Sequence, residues 1–121
     1  MTNVEFLNEN FGTDYKGYMR CSWPYNDEIL VWMVRFDGSE SEGWCNKITS
    51  ENTVEEFFVK DLSYQLENHK EVKQKIRLAV DKSQNFKILG LYKYDTLNSN
   101  EKTHRIWHKI ADSITEFYNQ K

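Results

Sequence analysis

Residues Phe86–Tyr118 constrain the fold of this chain more than any other stretch. From Phe86 to Tyr94 a two-residue period puts Phe86, Ile88, Tyr92 and Tyr94, with Gly90, on one face and Lys87, Leu89, Leu91 and Lys93 on the other, which predicts a strand. Gly90 marks a bulge or a close backbone approach. Beyond a polar linker, Asn98 and Glu101 have capping-box spacing, and Ile106, Trp107, Ile110, Ile114 and Phe117 fall within a stripe about 100° wide, which predicts a helix. Strand, loop and helix together supply the framework of a core.

The remaining segments are read against that framework. Asn3 as a cap, Val4, Leu7 and Phe11 at helical spacing and Gly12 at the end predict a helix over 3–11. Tyr18–Trp23 alternates as a strand that Pro24 terminates. Glu28–Phe36, apolar on both faces, predicts the central strand; Asp37-Gly38 signals a hairpin, and the polar return through Gly43–Ile48 predicts an edge strand. Thr53 and Glu56 repeat the capping-box spacing, and Val54, Phe58, Leu62 and Leu66 follow at steps of four, with Val72, Ile76, Ala79 and Val80 behind them. That pattern predicts helix across 53–81, one long helix or two joined near Asn68, with two favoured. The fold class expected is α+β: one domain over 1–121, a small, mostly antiparallel sheet of about four strands with helices packed on it, in the order α-β-β-β-α-α-β-α.

Composition enters where it limits function. The chain has 121 residues, enough for one core without disulfides or metal, and 15% of them are aromatic, so large rings must supply much of the burial. A net charge of −3 with both signs interspersed argues against a general electrostatic grip on nucleic acid. The absence of an apolar run near about 18 residues and of a cleavable N-terminal signal argues against a membrane partner or export. Cys21 and Cys45 lack CxxC spacing, and a cytoplasmic protein with reduced thiols is expected.

Each chemical signal competes with a bland alternative. His104, His108 and Asp112 share one side of the predicted last helix, a spacing that can hold a divalent metal, but His104 lies about 120° and His108 about 160° from the centre of the apolar stripe, on the solvent side. Cys45, near Lys47, is the better nucleophile candidate, yet no base is supplied by any pattern, and a bystander thiol is favoured. Glu71 and Lys73 have a Glu-x-Lys nuclease spacing on what is predicted to be helix, where they would point apart. Walker, dinucleotide and Gly-x-Ser-x-Gly patterns are absent, and no cofactor is implied.

Two binding readings remain. The one favoured is a small non-enzymatic module of a bacterium or mobile element, binding a protein partner or inhibiting it through the acidic positions Asp37, Glu40 and Glu42, with Glu55, Glu56 and Asp61 nearby; the helices over 54–80 would also support a homodimer. The alternative is a nucleotide- or nucleic-acid-binding module in which Trp44, Lys47, Tyr92, Lys93, Tyr94 and Arg105, with Trp23 and Tyr25, set flat rings beside cations. A metal-dependent enzyme ranks third. Whether Tyr92 and Tyr94 are core or exposed decides between a structural face and a ligand platform.

Overall fold

The computed structural model describes residues 1–120, and its dominant element is a sheet of eight strands. In chain order the elements are α1 (Asn3–Phe11), β1 (Ser22–Pro24), β2 (Ile29–Val34), β3 (Asp37–Ser41), β4 (Trp44–Ser50), β5 (Thr53–Phe58), α2 (Leu62–Asn68), β6 (Ile76–Asp81), a 3-10 turn at Lys82–Gln84, β7 (Lys87–Tyr94), β8 (His104–Ala111) and α3 (Ile114–Asn119). The strands lie side by side as β1-β2-β6-β7-β8-β5-β4-β3. All neighbours are antiparallel except β2 and β6, which run parallel. The fold is therefore mostly β, and the expected four-strand α+β sheet is corrected.

The two longest predicted helices are the source of the difference. Thr53–Phe58 is strand β5, not the start of a helix: Val54 and Glu56 face one side, while Glu55 opposes Ile106 on the other. Residues 53–81 form a strand, a short helix and a second strand rather than one helix or two. The predicted helix through Ile106 and Trp107 is strand β8, and only Ile114–Asn119 is helical. Asp37-Gly38 lies within the edge strand β3; the hairpin turn is Glu42-Gly43, where both residues have positive φ (53° and 93°), the conformation of a type I′ turn. Strand β4 lies inside the sheet, between β3 and β5, and β2 is second from the other edge rather than central.

Helix α1 falls where its periodicity puts it, capped by Thr2 and not Asn3. The Thr2 hydroxyl accepts from the Glu5 amide at 3.1 Å while the Glu5 carboxylate accepts from the Thr2 amide at 3.2 Å. The Asn3 amide donates instead to the carbonyls of Met19 (3.1 Å) and Arg20 (3.2 Å), tying down the approach to β1. Gly12 closes the helix in the left-handed region, as its position predicts.

Alternation along β2 and β6 divides the interior into two cores. Ile29, Val31, Met33, Leu78, Val80 and Leu91 point to one face, under Phe6 and Leu7 of α1 and Phe117 of α3. Trp32, Ala79, Tyr92, Tyr94, Trp107 and Val54 point to the other, joined by Phe36 and Val72. Each such side chain contributes about 1.5–3 kcal/mol when withdrawn from water. On the second face the sheet curls over, so that β1 and β2 from one edge and β3 and β4 from the other border a common cavity.

Candidate functional site

The cavity on the inner face measures about 480 Å³ and opens to one side, within the range of about 300–1,000 Å³ usual for small-molecule sites. Trp32 and Trp44 are its aromatic lining, and Arg35, Glu40, Glu42 and Lys82 are among its other residues. Strand register places Asn46 on β4, Glu56 on β5 and Arg105 on β8 in one row across the inner face.

That row is polar and buried. Asn46 is 7% exposed, Glu56 5% and Arg105 8%. Glu56 accepts from the Trp107 indole N–H at 2.9 Å and sits between two guanidinium groups, Arg77 at 3.6 Å and Arg105 at 3.9 Å. Arg77 packs over Trp32 (4.8 Å to the ring centroid) and Trp107 (4.3 Å). Arg105 lies 4.3 Å from the Trp44 ring centroid and is anchored by donating to the carbonyls of Glu101 (2.8 Å) and Lys70 (3.0 Å). Burial pulls the Arg77 guanidinium below its ordinary pKa, opposed by the charge of Glu56. Two polar atoms of the cavity lining, Asn46 Oδ1 and Arg77 Nε, are buried without a hydrogen-bond partner. Such atoms each cost about 1–3 kcal/mol unless a ligand or water meets them.

The candidates named from sequence separate into three places. Trp44 and Arg105 belong to the cavity, as do Glu40 and Glu42. Tyr92 and Tyr94 are core, 3% and 6% exposed, packed on the inner face rather than displayed as a platform. Lys47 pairs in register with Glu55, and Lys93 with His108, on the outer face. Asp37 is held by Arg35 at 3.2 Å and Glu40 by Lys60 at 2.9 Å, so these carboxylates are engaged within the chain. His104 and His108 do share a face, but of a strand: His104 meets Glu55 at 2.7 Å, His108 meets Asp95 at 2.8 Å, and Asp112 pairs with Lys109 at 2.6 Å. Among the described residues no group of three or more His, Cys, Asp or Glu is placed to hold a metal ion. Cys21 and Cys45 are both free; Cys21 lines the cavity, and burial pushes its thiol pKa up.

Sequence reasoning passed over Trp32, Asn46 and Arg77 as site residues, and read Glu56 as part of an exposed acidic surface, whereas it is 5% exposed. The signal available was a charged residue inside an apolar strand, Arg77 between Ile76 and Leu78, which only a partner or a ligand makes affordable.

The site is thus a cavity under a curled sheet, with two tryptophans and two unpartnered polar atoms in its lining. Residues 1–115 match the SRA family, the SET and RING associated domain, and the chain belongs to that family. SRA domains bind DNA. Among solved structures, the 5-hydroxymethylcytosine-specific restriction enzyme AbaSI is similar, with a TM-score of 0.67 and 23% identity over 92% of this chain, a likeness of fold. The chain spans 37% of the length of that structure. No curated protein matches it in sequence. Nucleic acid is thus the partner supported, and the protein-partner reading built on Asp37, Glu40 and Glu42 is not.

Proposed function

We propose that the chain is a DNA-binding module that takes one cytosine, turned out of the duplex, into the cavity beside Trp44. A base inside a duplex hides its edge and faces; extrusion costs a few kcal/mol and is offset by stacking on aromatic side chains and hydrogen bonds to the Watson–Crick edge. Trp44, braced edge-on by Phe58 at 5.3 Å and backed by Arg105, supplies a stacking surface. The observation that carries the reading is Asn46 Oδ1, a buried acceptor that meets no donor among the described residues, in the wall of that cavity. It matches the exocyclic amino group of cytosine, which thymine lacks. Membership of the SRA family supports DNA as the source of the base, and the likeness to an enzyme specific for 5-hydroxymethylcytosine favours a cytosine carrying a group at C5.

Binding measured by fluorescence anisotropy, with duplexes that differ only in one central cytosine or 5-hydroxymethylcytosine, tests this. The modified duplex is expected to bind about tenfold more tightly, and Trp44→Ala to remove the difference, since stacking on an aromatic ring is worth about 1–3 kcal/mol. Equal affinity for both duplexes, or a preference that Trp44→Ala leaves intact, contradicts the reading.

A further inference from the structure

The charge balance of the cavity floor carries a further step, which rests on the base-pocket reading above. Two guanidinium groups, the buried Arg105 and the partly buried Arg77, share one carboxylate, Glu56. Arg105 has other work for its donors: it bonds the carbonyls of Glu101 and Lys70. Arg77 does not. Its Nη1 is turned to Glu56 at 3.6 Å, longer than a hydrogen bond, and its Nε–H, on the edge of the group away from Nη1, has no partner. The side chain is 12% exposed, so water compensates little of its charge. A buried cation lacking a full counter-charge is stabilised by any ligand that brings an anion to it.

Position matters as much as charge. Asn46 and Arg77 both adjoin Glu56, the first as its cross-strand partner and the second through the ion pair. In cytosine the N4 amino group and C5 are neighbours on the ring. A base whose N4–H is received by Asn46 Oδ1 therefore lies in the same lining as the Arg77 guanidinium, with Glu56 as the shared neighbour of both. The cavity volume of about 480 Å³ exceeds what an unsubstituted pyrimidine fills, which leaves space for that substituent. Elsewhere in the lining Lys82 is a cation, Glu40 is met by Lys60, Arg35 is met by Asp37, and Glu42 adds a carboxylate.

We propose that Arg77 is a specificity-determining residue and that the pocket selects a cytosine bearing an anionic C5 group, a carboxylate, over neutral C5 groups. A methyl group leaves Arg77 Nε unmet, and a hydroxymethyl group offers an acceptor without charge. A carboxylate supplies both.

The test uses the full chain and five duplexes alike except at one cytosine: unmodified, 5-methyl, 5-hydroxymethyl, 5-carboxyl and 5-carboxamide. The carboxamide copies the carboxylate in shape without its charge, so the wild-type protein alone separates size from charge. The 5-carboxyl duplex is expected to bind about tenfold more tightly than the carboxamide and more tightly than hydroxymethyl or methyl, and Arg77→Met to bring the carboxyl-to-carboxamide ratio near one. Equal binding of carboxyl and carboxamide, or tightest binding of hydroxymethyl with carboxyl rejected, overturns the proposal while the base-pocket reading stands. If no modified duplex exceeds the unmodified one, the base-pocket reading itself fails, and the proposal with it. Equal losses by Arg77→Met on all five duplexes would mean that Arg77 meets a backbone phosphate, which also overturns it.

Discussion

Glu56 shows how one side chain holds the site together. Its carboxylate is the only counter-charge within reach of both Arg77 and Arg105 that the described ion pairs contain, and it also receives the Trp107 indole N–H. Removing one partner of a buried ion pair leaves the others without compensation, at about 3–5 kcal/mol. Glu56→Gln keeps the size and a hydrogen-bond acceptor, and is expected to lower unfolding stability by about 3 kcal/mol in urea titrations. A change below about 1 kcal/mol would mean that the floor is not organised around this charge. Asp95 is a surface counterpart. Hydrogen bonds from Asn98, together with His108, hold its carboxyl at about 2, against an ordinary value of 3.8. Because its pKa is depressed in the folded state, its contribution to stability is in place above about 3.8 and is lost as pH falls through about 2. An NMR titration of the Asp95 side-chain carboxyl is expected to show a midpoint near 2, and a midpoint near 3.8 would show that the hydrogen bonds do not form in solution. Apart from the local Asp95–Asn98 turn, these pairings are not legible in the sequence, because each joins residues distant in the chain.

Among the elements, spacing of four residues misleads because it returns a side chain to the same face under both periods, 3.6 and 2. Val54 and Phe58 look like a helical stripe and are the inner face of β5; His104 and His108 look like one side of a helix and are the outer face of β8. The tie is broken by composition. Thr53, Val54, Phe57 and Phe58 are β-branched or aromatic, as are Ile106 and Trp107, and tertiary pairing to both sides outweighs the capping-box spacing at Thr53 and Glu56. Where only one period fits, the strand is found but not its faces: Phe86 packs in the core under α1, while Leu89 joins Tyr92 and Tyr94 on the inner face. The strand over Phe86–Tyr94 appears as Lys87–Tyr94, and Gly90 is a bulge with φ 132°, facing a register shift in both neighbouring ladders. A Cβ at Gly90 would stand 2.7 Å from the Ala111 carbonyl oxygen. Gly90→Ala combines a strained φ with that overlap and is expected to destabilise the fold by at least about 2 kcal/mol by thermal or chemical unfolding. A neutral substitution would show that β7 and β8 can separate there without loss.

At the scale of the whole molecule, the curl of the sheet is what creates the cavity. Strands β2 and β4 lie far apart in the sheet order, yet Trp32 from one and Trp44 from the other line the same space. Pattern reasoning locates strands but not the path of a sheet that bends back on itself, so Trp44 and Arg105 were recognisable as an aromatic and a cation while Trp32, Asn46 and Arg77 were not recognisable as their neighbours. The same pattern left Tyr92 and Tyr94 open between core and ligand platform, and in the folded sheet they are core. Net charge acts at this scale too. With −3 overall, any counterion release on binding DNA must come from a local group of the 16 Lys and Arg residues rather than from the molecule's overall charge.

The most direct test is whether a base leaves the duplex. A duplex with 2-aminopurine opposite a single 5-hydroxymethylcytosine reports loss of stacking and pairing as a rise in fluorescence. The account predicts that saturating protein raises that signal and that Trp44→Ala, measured at concentrations where it still binds, does not. Saturated binding by the wild-type chain with no change in the 2-aminopurine signal would contradict it.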